Sequence, residues 1–129
     1  MKKILVTGVA GFLGSHLSQK LSSNGHDVIG VDNMTGGYSD NVPKSITFFS
    51  YDCCDLEKMQ EVMKGVDIVY HCAATAHEGL SVFSPVEITK NVYLASASVF
   101  TAAINKKVKR IVFCSSMARY GEQEPPFVE

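Results

Sequence analysis

Short apolar runs alternate with longer stretches of helical period along the chain, the pattern of repeated β-α units about a parallel sheet. Ile4-Leu5-Val6, ending at Thr7-Gly8, is a continuous apolar run of the kind carried by a strand covered on both faces, and it predicts a central strand. From Phe12 the apolar residues fall at Phe12, Leu13, Leu17 and Leu21 and stop at Ser22-Ser23-Asn24-Gly25, which predicts the first helix. Val28-Ile29-Gly30-Val31 reads as a second strand, Met34 to Lys44 as a surface loop, and Ile46 to Phe49 as a third strand. Asp55 is placed to cap a helix running to about Lys64, with Gly65 ending it and Val66 to Cys72 following as a fourth strand. Pro85 opens a long helix whose buried face is Val92, Ala95, Val99, Ala102 and Ala103, and Val108 to Cys114 is the fifth strand.

Composition narrows the function classes. Twelve Lys and Arg against 13 Asp and Glu give a net charge of -1, too little positive excess to hold a nucleic-acid backbone or an anionic membrane. No stretch approaches the ~18 apolar residues of a membrane span, and Lys2-Lys3 leads straight into a strand pattern rather than a signal-peptide core. The four cysteines form no Cys-x-x-Cys pair, so no metal site is expected, and the count suits a reducing, cytoplasmic setting. Cys72 and Cys114 lie in apolar runs and are expected to be buried as small hydrophobes.

The strongest chemical signal is Gly8-Val9-Ala10-Gly11-Phe12-Leu13-Gly14, where the first strand turns into the first helix. Gly8 suits the tight turn, Gly11 lets backbone N–H groups approach a pyrophosphate at the helix N-terminus, and Gly14 lets the helix pack close to the sheet. Asp32 follows 24 positions after Gly8, at the end of the second strand, where a carboxylate accepts hydrogen bonds from an adenosine ribose and repels a 2′-phosphate. NAD is therefore expected over NADP, bound to an α/β fold of the Rossmann type: a doubly wound parallel sheet of about five strands in the order 3-2-1-4-5. Residues 1–129 read as the N-terminal portion of that NAD-binding domain, truncated before the remaining strands, with the C-terminal substrate-binding part absent.

Thr7-Gly8-x-x-Gly11-Phe12-x-Gly14 resembles the extended short-chain dehydrogenase/reductases, the NAD-dependent nucleotide-sugar epimerases and dehydratases. Further matches follow in that family's order. Asp52 matches the aspartate that bonds the adenine amine, with Cys53 giving the next backbone contact, and His71-Cys72-Ala73-Ala74 is similar to the family's His-x-Ala-Ala/Gly after strand four. The resemblance implies cofactor contacts from Gly8, Gly11, Phe12, Leu13, Gly14, Asp32, Asn33, Asp52, Cys53, Cys72, Ala73, Ala74, Thr75, Asn91 and Ser115. Plainer roles stand beside these: a solvated carboxylate for Asp52, a core histidine bonded to backbone for His71, a helix N-cap for Asn91, strand-end hydroxyls for Ser115 and Ser116. Where the family has Asn-Val-x-Gly-Thr, Asn91-Val92 is followed by Tyr93-Leu94-Ala95-Ser96, with one extra residue.

Ser115-Ser116-Met117-Ala118-Arg119-Tyr120-Gly121 looks like the family's Ser-Ser-x-x-x-Tyr-Gly, which makes Ser116 the expected catalytic hydroxyl. In the family a tyrosine, lowered from its ordinary ~10 by a lysine one helical turn on, takes the proton of a sugar hydroxyl as hydride leaves for the nicotinamide. Tyr120 cannot be that base, since residue 124 is Glu and Pro125-Pro126 forbids a helix, so the 129 residues alone are expected to be inactive. His77, Glu78 and Ser81 are expected to face the sugar or else to form a polar surface loop. The resemblance implies a nucleotide-sugar epimerase acting at C4, with a 4,6-dehydratase or reductase as the alternative within the family and a non-catalytic NAD-binding module outside it. It also implies a homodimer, through the helix Val86 to Asn105.

Overall fold

Ile4, Leu5 and Val6 are buried to 1% exposure or less because their strand has a neighbour on each side. In the computed structural model, which describes residues 1–128 with the side chains of Glu78 and Met117 outside the described set, β1 (Lys3–Thr7) pairs with β2 (Asp27–Val31) and β4 (Ile68–His71). β3 (Thr47–Phe49) and β5 (Arg110–Phe113) complete a parallel sheet in the order β3-β2-β1-β4-β5. This is the sheet expected from the sequence, with β3, β4 and β5 each shorter than their apolar runs.

Side chains alternate across β1 and so feed two cores. Ile4, Val6 and Val28 pack with Leu17 and Leu21 of α1 (Phe12–Ser23), and Leu5, Ile29, Val31 and Val69 pack on the other face with α2 (Leu56–Val62) and α5 (Ala95–Asn105). Burying each such aliphatic side chain stabilises the fold by ~2 kcal/mol relative to exposure. Asp55 caps α2 as expected, its Oδ1 accepting the Lys58 N–H at 3.0 Å, and α2 stops at Val62 rather than Lys64.

Three features depart from the sequence expectation. The Glu78–Phe83 segment forms a short helix, α3, where a loop was expected. The long helix is not uniform: α4 (Pro85–Ile88) passes through a π-helical turn over Thr89–Leu94 before α5 begins. A π turn holds one residue more than an α turn, so it absorbs the extra residue after Asn91-Val92 without shifting the buried face of Ala95, Val99, Ala102 and Ala103. The third departure is Cys114, expected to be buried and found exposed one residue beyond the edge strand β5, while Cys72 is half-buried. Among the described residues no helix is long and apolar enough to cross a membrane, and no group of three or more His, Cys, Asp and Glu is placed to hold a metal ion.

Candidate dinucleotide site

A cavity of ≈ 470 Å³ opens at the C-terminal ends of β1, β2 and β4, where the chain connections diverge to opposite sides of the sheet. Open α/β sheets bind ligands at this switch point. Its floor is the turn from β1 into α1. Gly8 takes φ +72, and a Cβ there would lie 2.8 Å from the Ala73 backbone nitrogen; one at Gly14 would run into the Gly8 carbonyl. The glycines therefore let the loop, the helix and the end of β4 meet backbone to backbone.

α1 starts from Gly11, which offers no side chain to cap it. The N–H groups of Phe12, Leu13 and Gly14 have no carbonyl one turn back to bond, so the positive end of the helix dipole is left for a ligand anion. Asp32 stands beside it, 9% exposed, its Oδ2 accepting the Ala10 N–H at 3.0 Å and its Oδ1 the Met34 N–H at 2.8 Å. Both oxygens keep further lone pairs for a ligand hydroxyl. The Tyr38 N–H and Asn41 Nδ2 both donate to the Ala10 carbonyl and clip the loop after β2 onto the glycine turn. That brings Thr35, Gly36 and Gly37, in a segment the sequence predicts to be a surface loop, to the cavity wall.

Asp52 and Cys53 line the next wall. Burial opposes ionisation of Asp52, but the Cys54 N–H at 2.8 Å and the Lys90 ammonium at 3.7 Å outweigh it and hold its pKa below the ordinary carboxylate value. Burial, then the Asp52 charge, pushes the Cys53 thiol up to about 12, so it is a neutral wall.

Cys72, Ala73, Ala74 and Thr75 continue the lining from the end of β4. A chain of hydrogen bonds with a single consistent direction holds them. Ser96 Oγ donates to the Val92 carbonyl at 2.6 Å, so it must accept from His71 Nε2 at 3.0 Å; His71 Nδ1 then accepts from Thr7 Oγ1 at 2.7 Å, and Thr7 Oγ1 accepts the Ala73 N–H at 3.2 Å. Burial pushes His71 down to about 4, in keeping with this neutral tautomer. The sequence predicts a His71 bonded to backbone; its partners are two side-chain hydroxyls, Thr7 on β1 and Ser96 on α5, and the Ser96 bond to Val92 extends the link to the π turn.

Asn91 lies inside the π turn rather than at an N-cap, and donates to Thr75 Oγ1 at 3.2 Å and Glu87 Oε1 at 2.9 Å. His77 also reaches the cavity, as do Ala76, Leu80, Glu87 and Ala95, which the sequence reading had not singled out. Phe12, Leu13, Gly14, Ser81, Ser115 and Ser116 do not line it, and the side chain of Glu78 falls outside the described residues. Phe12 and Leu13 point their side chains to solvent at 83% and 53% exposure. Ser116 is exposed at the end of β5 and caps the short turn Met117–Tyr120, its Oγ accepting the Ala118 N–H at 3.1 Å.

The model of the NAD dependent epimerase/dehydratase family matches residues 4–129. The chain belongs to that family. Among relatives of this epimerase/dehydratase chain, a UDP-N-acetyl-alpha-D-glucosaminuronate decarboxylase of Bacillus cytotoxicus is 32% identical, with 99% of the chain and 40% of the relative covered. A UDP-glucose 4-epimerase of Streptomyces lividans is 36% identical, with 98% and 40% covered. The crystal structure of a Thermus thermophilus UDP-glucose 4-epimerase in complex with NAD superposes with a TM-score of 0.88 at 35% identity, covering 97% of the chain and 41% of that structure. The chain thus spans about 40% of the length of the curated relatives it matches.

Proposed function

We propose that this chain is the NAD-binding portion of a nucleotide-sugar epimerase. The observation that carries the reading is the pairing of an uncapped helix N-terminus with the buried Asp32 carboxylate, in a cavity with no Lys or Arg among its described lining residues. A pyrophosphate fits the N–H groups of Phe12, Leu13 and Gly14, and an adenosine ribose fits Asp32 and Asn33. We assign Asp52 and Cys53 to the adenine, and Ala73, Ala74 and Thr75, which line the cavity at the end of β4, to the rest of the dinucleotide. A 2′-phosphate would meet the Asp32 charge with no cation to offset it, which favours NAD over NADP.

Bound NAD would supply the hydride acceptor for oxidation at the sugar C4 and the hydride donor for its reduction. The chain's own groups bind and orient. Ser116 Oγ accepts from the Ala118 N–H, which leaves its O–H to donate, and we assign that donor to a reacting sugar oxygen. His77 lies on the side where the sugar would enter, and Glu78 and Ser81 are assigned to the same side. The relatives also favour a second reading, because the Bacillus cytotoxicus protein is a decarboxylase: a ketone at C4 lies β to a sugar C6 carboxylate and labilises it toward loss of CO2. A homodimer through the Val86 to Asn105 helix suits its exposed Val86, Tyr93, Leu94 and Ile104, and a cytoplasmic setting suits four free cysteines.

Calorimetric titration tests the first step: NAD should bind and NADP should bind more weakly, and equal affinity for the two would overturn the role given to Asp32. The protein encoded by the complete reading frame should interconvert UDP-galactose and UDP-glucose. Loss of CO2 from a UDP-uronic acid without epimerisation would select the second reading, and NAD binding with turnover of neither substrate would select a non-catalytic module.

A further inference from the structure

Two of the four thiols stand side by side at the lip of the cavity. His71 and Phe113 are the last paired residues of β4 and β5, and Cys72 and Cys114 follow them, with the Cys114 N–H donating to the His71 carbonyl at 3.2 Å. Both side chains project to the α1 face, and their Sγ atoms are 3.6 Å apart, with the Cys114 thiol donating to Cys72. Neighbouring strands run ~4.8 Å apart, inside the Cα separations that disulfides span, so a small closing of the two strand ends brings the sulfurs to the ~2.05 Å of a bond. Cys53 and Cys54, adjacent in sequence, have no such partner: Cys53 is buried and Cys54 points to the Lys90 carbonyl at 3.4 Å.

We infer that Cys72 and Cys114 are a peroxide-oxidisable thiol pair whose closure into a disulfide reshapes the dinucleotide cavity. Cys114 is exposed and is the sulfur a peroxide meets first, while Cys72 is half-buried. The Cys114 thiolate attacks one peroxide oxygen, forming an S–O bond as the O–O bond breaks and hydroxide leaves. The Cys72 thiolate then attacks that sulfur, an S–S bond forms, the S–O bond breaks and a second hydroxide departs. The hydroxides take up the two thiol protons, so two thiols and one hydrogen peroxide give one disulfide and two waters. Burial, with the Cys114 contact, pushes the Cys72 thiol up to about 12, so its attack relies on being held against its target.

The coupling to the cavity is mechanical. Cys72 and Ala73 line it, the Ala73 backbone touches Gly8 with no space for a methyl group, and the Ala73 N–H is held by Thr7. Because β4 lies between β1 and β5, drawing Cys72 toward β5 pulls Ala73 away from its seat against Gly8 and from the Thr7 hydroxyl that holds it. A disulfide that displaces its strand ends in this way is strained, and strain makes it readily reduced again.

The test treats the protein encoded by the complete reading frame with a small excess of hydrogen peroxide, blocks remaining thiols and maps peptides without reduction. The expected product links the Cys72 and Cys114 peptides, two hydrogens lighter than their sum, and dithiothreitol restores both thiols. NAD affinity, measured first on the reduced protein, should fall severalfold on oxidation and recover on reduction, while Cys114→Ser should bind NAD as the parent does and ignore peroxide. Recovery of Cys114 as sulfinic acid with Cys72 still alkylatable, or linkage of either to Cys53 or Cys54, overturns the pair. A Cys72–Cys114 link with unchanged NAD affinity overturns the coupling. The peptide map decides the pair whether or not the reduced protein binds NAD, so its failure is distinct from failure of the NAD reading.

Discussion

β1 and β5 carry nearly the same chemistry and meet opposite fates. Ile4-Leu5-Val6 is sealed from solvent, whereas in Ile111-Val112-Phe113 the last two residues are 38% and 48% exposed. The difference comes from strand order: β1 has a paired strand on each side and a helix layer on each face, while β5 is at the edge, with α5 near one face. The same division runs through the candidate site. The end that would take the nucleotide is built from β1, β2 and β4 and held by buried hydrogen bonds, and the end carrying Ser115 and Ser116 lies open at the tip of the edge strand.

That contrast is most exposed to test through stability. Leu5→Ala removes a fully buried side chain that the two-sided core cannot collapse around, and should cost ~3 kcal/mol or more in urea unfolding. Val112→Ala, on the edge, should cost under ~1 kcal/mol. Comparable losses at the two positions would mean that β5 is covered in solution as fully as β1.

In binding, the nucleotide end should dominate. Asp32→Ala removes a carboxylate that orders the Ala10 and Met34 N–H groups as well as facing the cavity, and should weaken NAD by ~2 kcal/mol, or ~30-fold, in a calorimetric titration. Val112→Ala should leave that affinity where it was. An Asp32→Ala protein binding NAD like the parent would move the ribose site elsewhere in the cavity.

His71 makes the contrast depend on pH. Its folded-state value of about 4 lies below the ordinary 6.5, so between these values the unfolded chain takes up a proton that the folded chain refuses. Stability is therefore full above pH 6.5 and falls as the pH drops toward 4, by ~1.4 kcal/mol at pH 5.5 for this one group. His71→Gln should lower stability at pH 7.5 and flatten the slope between pH 7.5 and 5.5. A slope unchanged by the substitution would assign the acid sensitivity to other groups.

Much of this was legible in the sequence because the nucleotide end is written in local signals. Glycines at 8, 11 and 14, an acid at the end of β2 and unbroken apolar runs each force one backbone outcome, and together they fix strand order and the place of the cavity. What escaped was set by tertiary partners. Nothing local distinguishes a His71 bonded to backbone from one bonded to Thr7 and Ser96, 64 and 25 positions away. Cys114 reads as core from its neighbours in sequence, but its exposure follows from being beyond the last paired residue of an edge strand. α3 has too few residues to show a period, and the Thr35-Gly36-Gly37 loop gains its place from the clips at Ala10. The extra residue after Asn91-Val92 was visible, while the π turn that takes it up was not.

The smallest expected effect separates two buried helix serines, one on each face of the sheet. Ser98 on α5 is 7% exposed, and its Oγ donates to the Cys54 carbonyl at 3.1 Å, tying the helix to the loop that carries Asp52 and Cys53. Ser18 on α1 is fully buried and its Oγ has no hydrogen-bond partner. Both positions suit alanine in shape, since each is buried and only the hydroxyl would be removed. Ser98→Ala leaves the Cys54 carbonyl unsatisfied and should destabilise by ~1 kcal/mol, whereas Ser18→Ala relieves an unpaired buried hydroxyl in a helix and should stabilise by up to ~1 kcal/mol. Opposite signs in parallel urea unfolding curves would show that even the better-packed half of the molecule holds one uncompensated polar group. A loss at both positions would mean that Ser18 has a partner in solution, and that the α1 face is as fully satisfied as the face beneath α5.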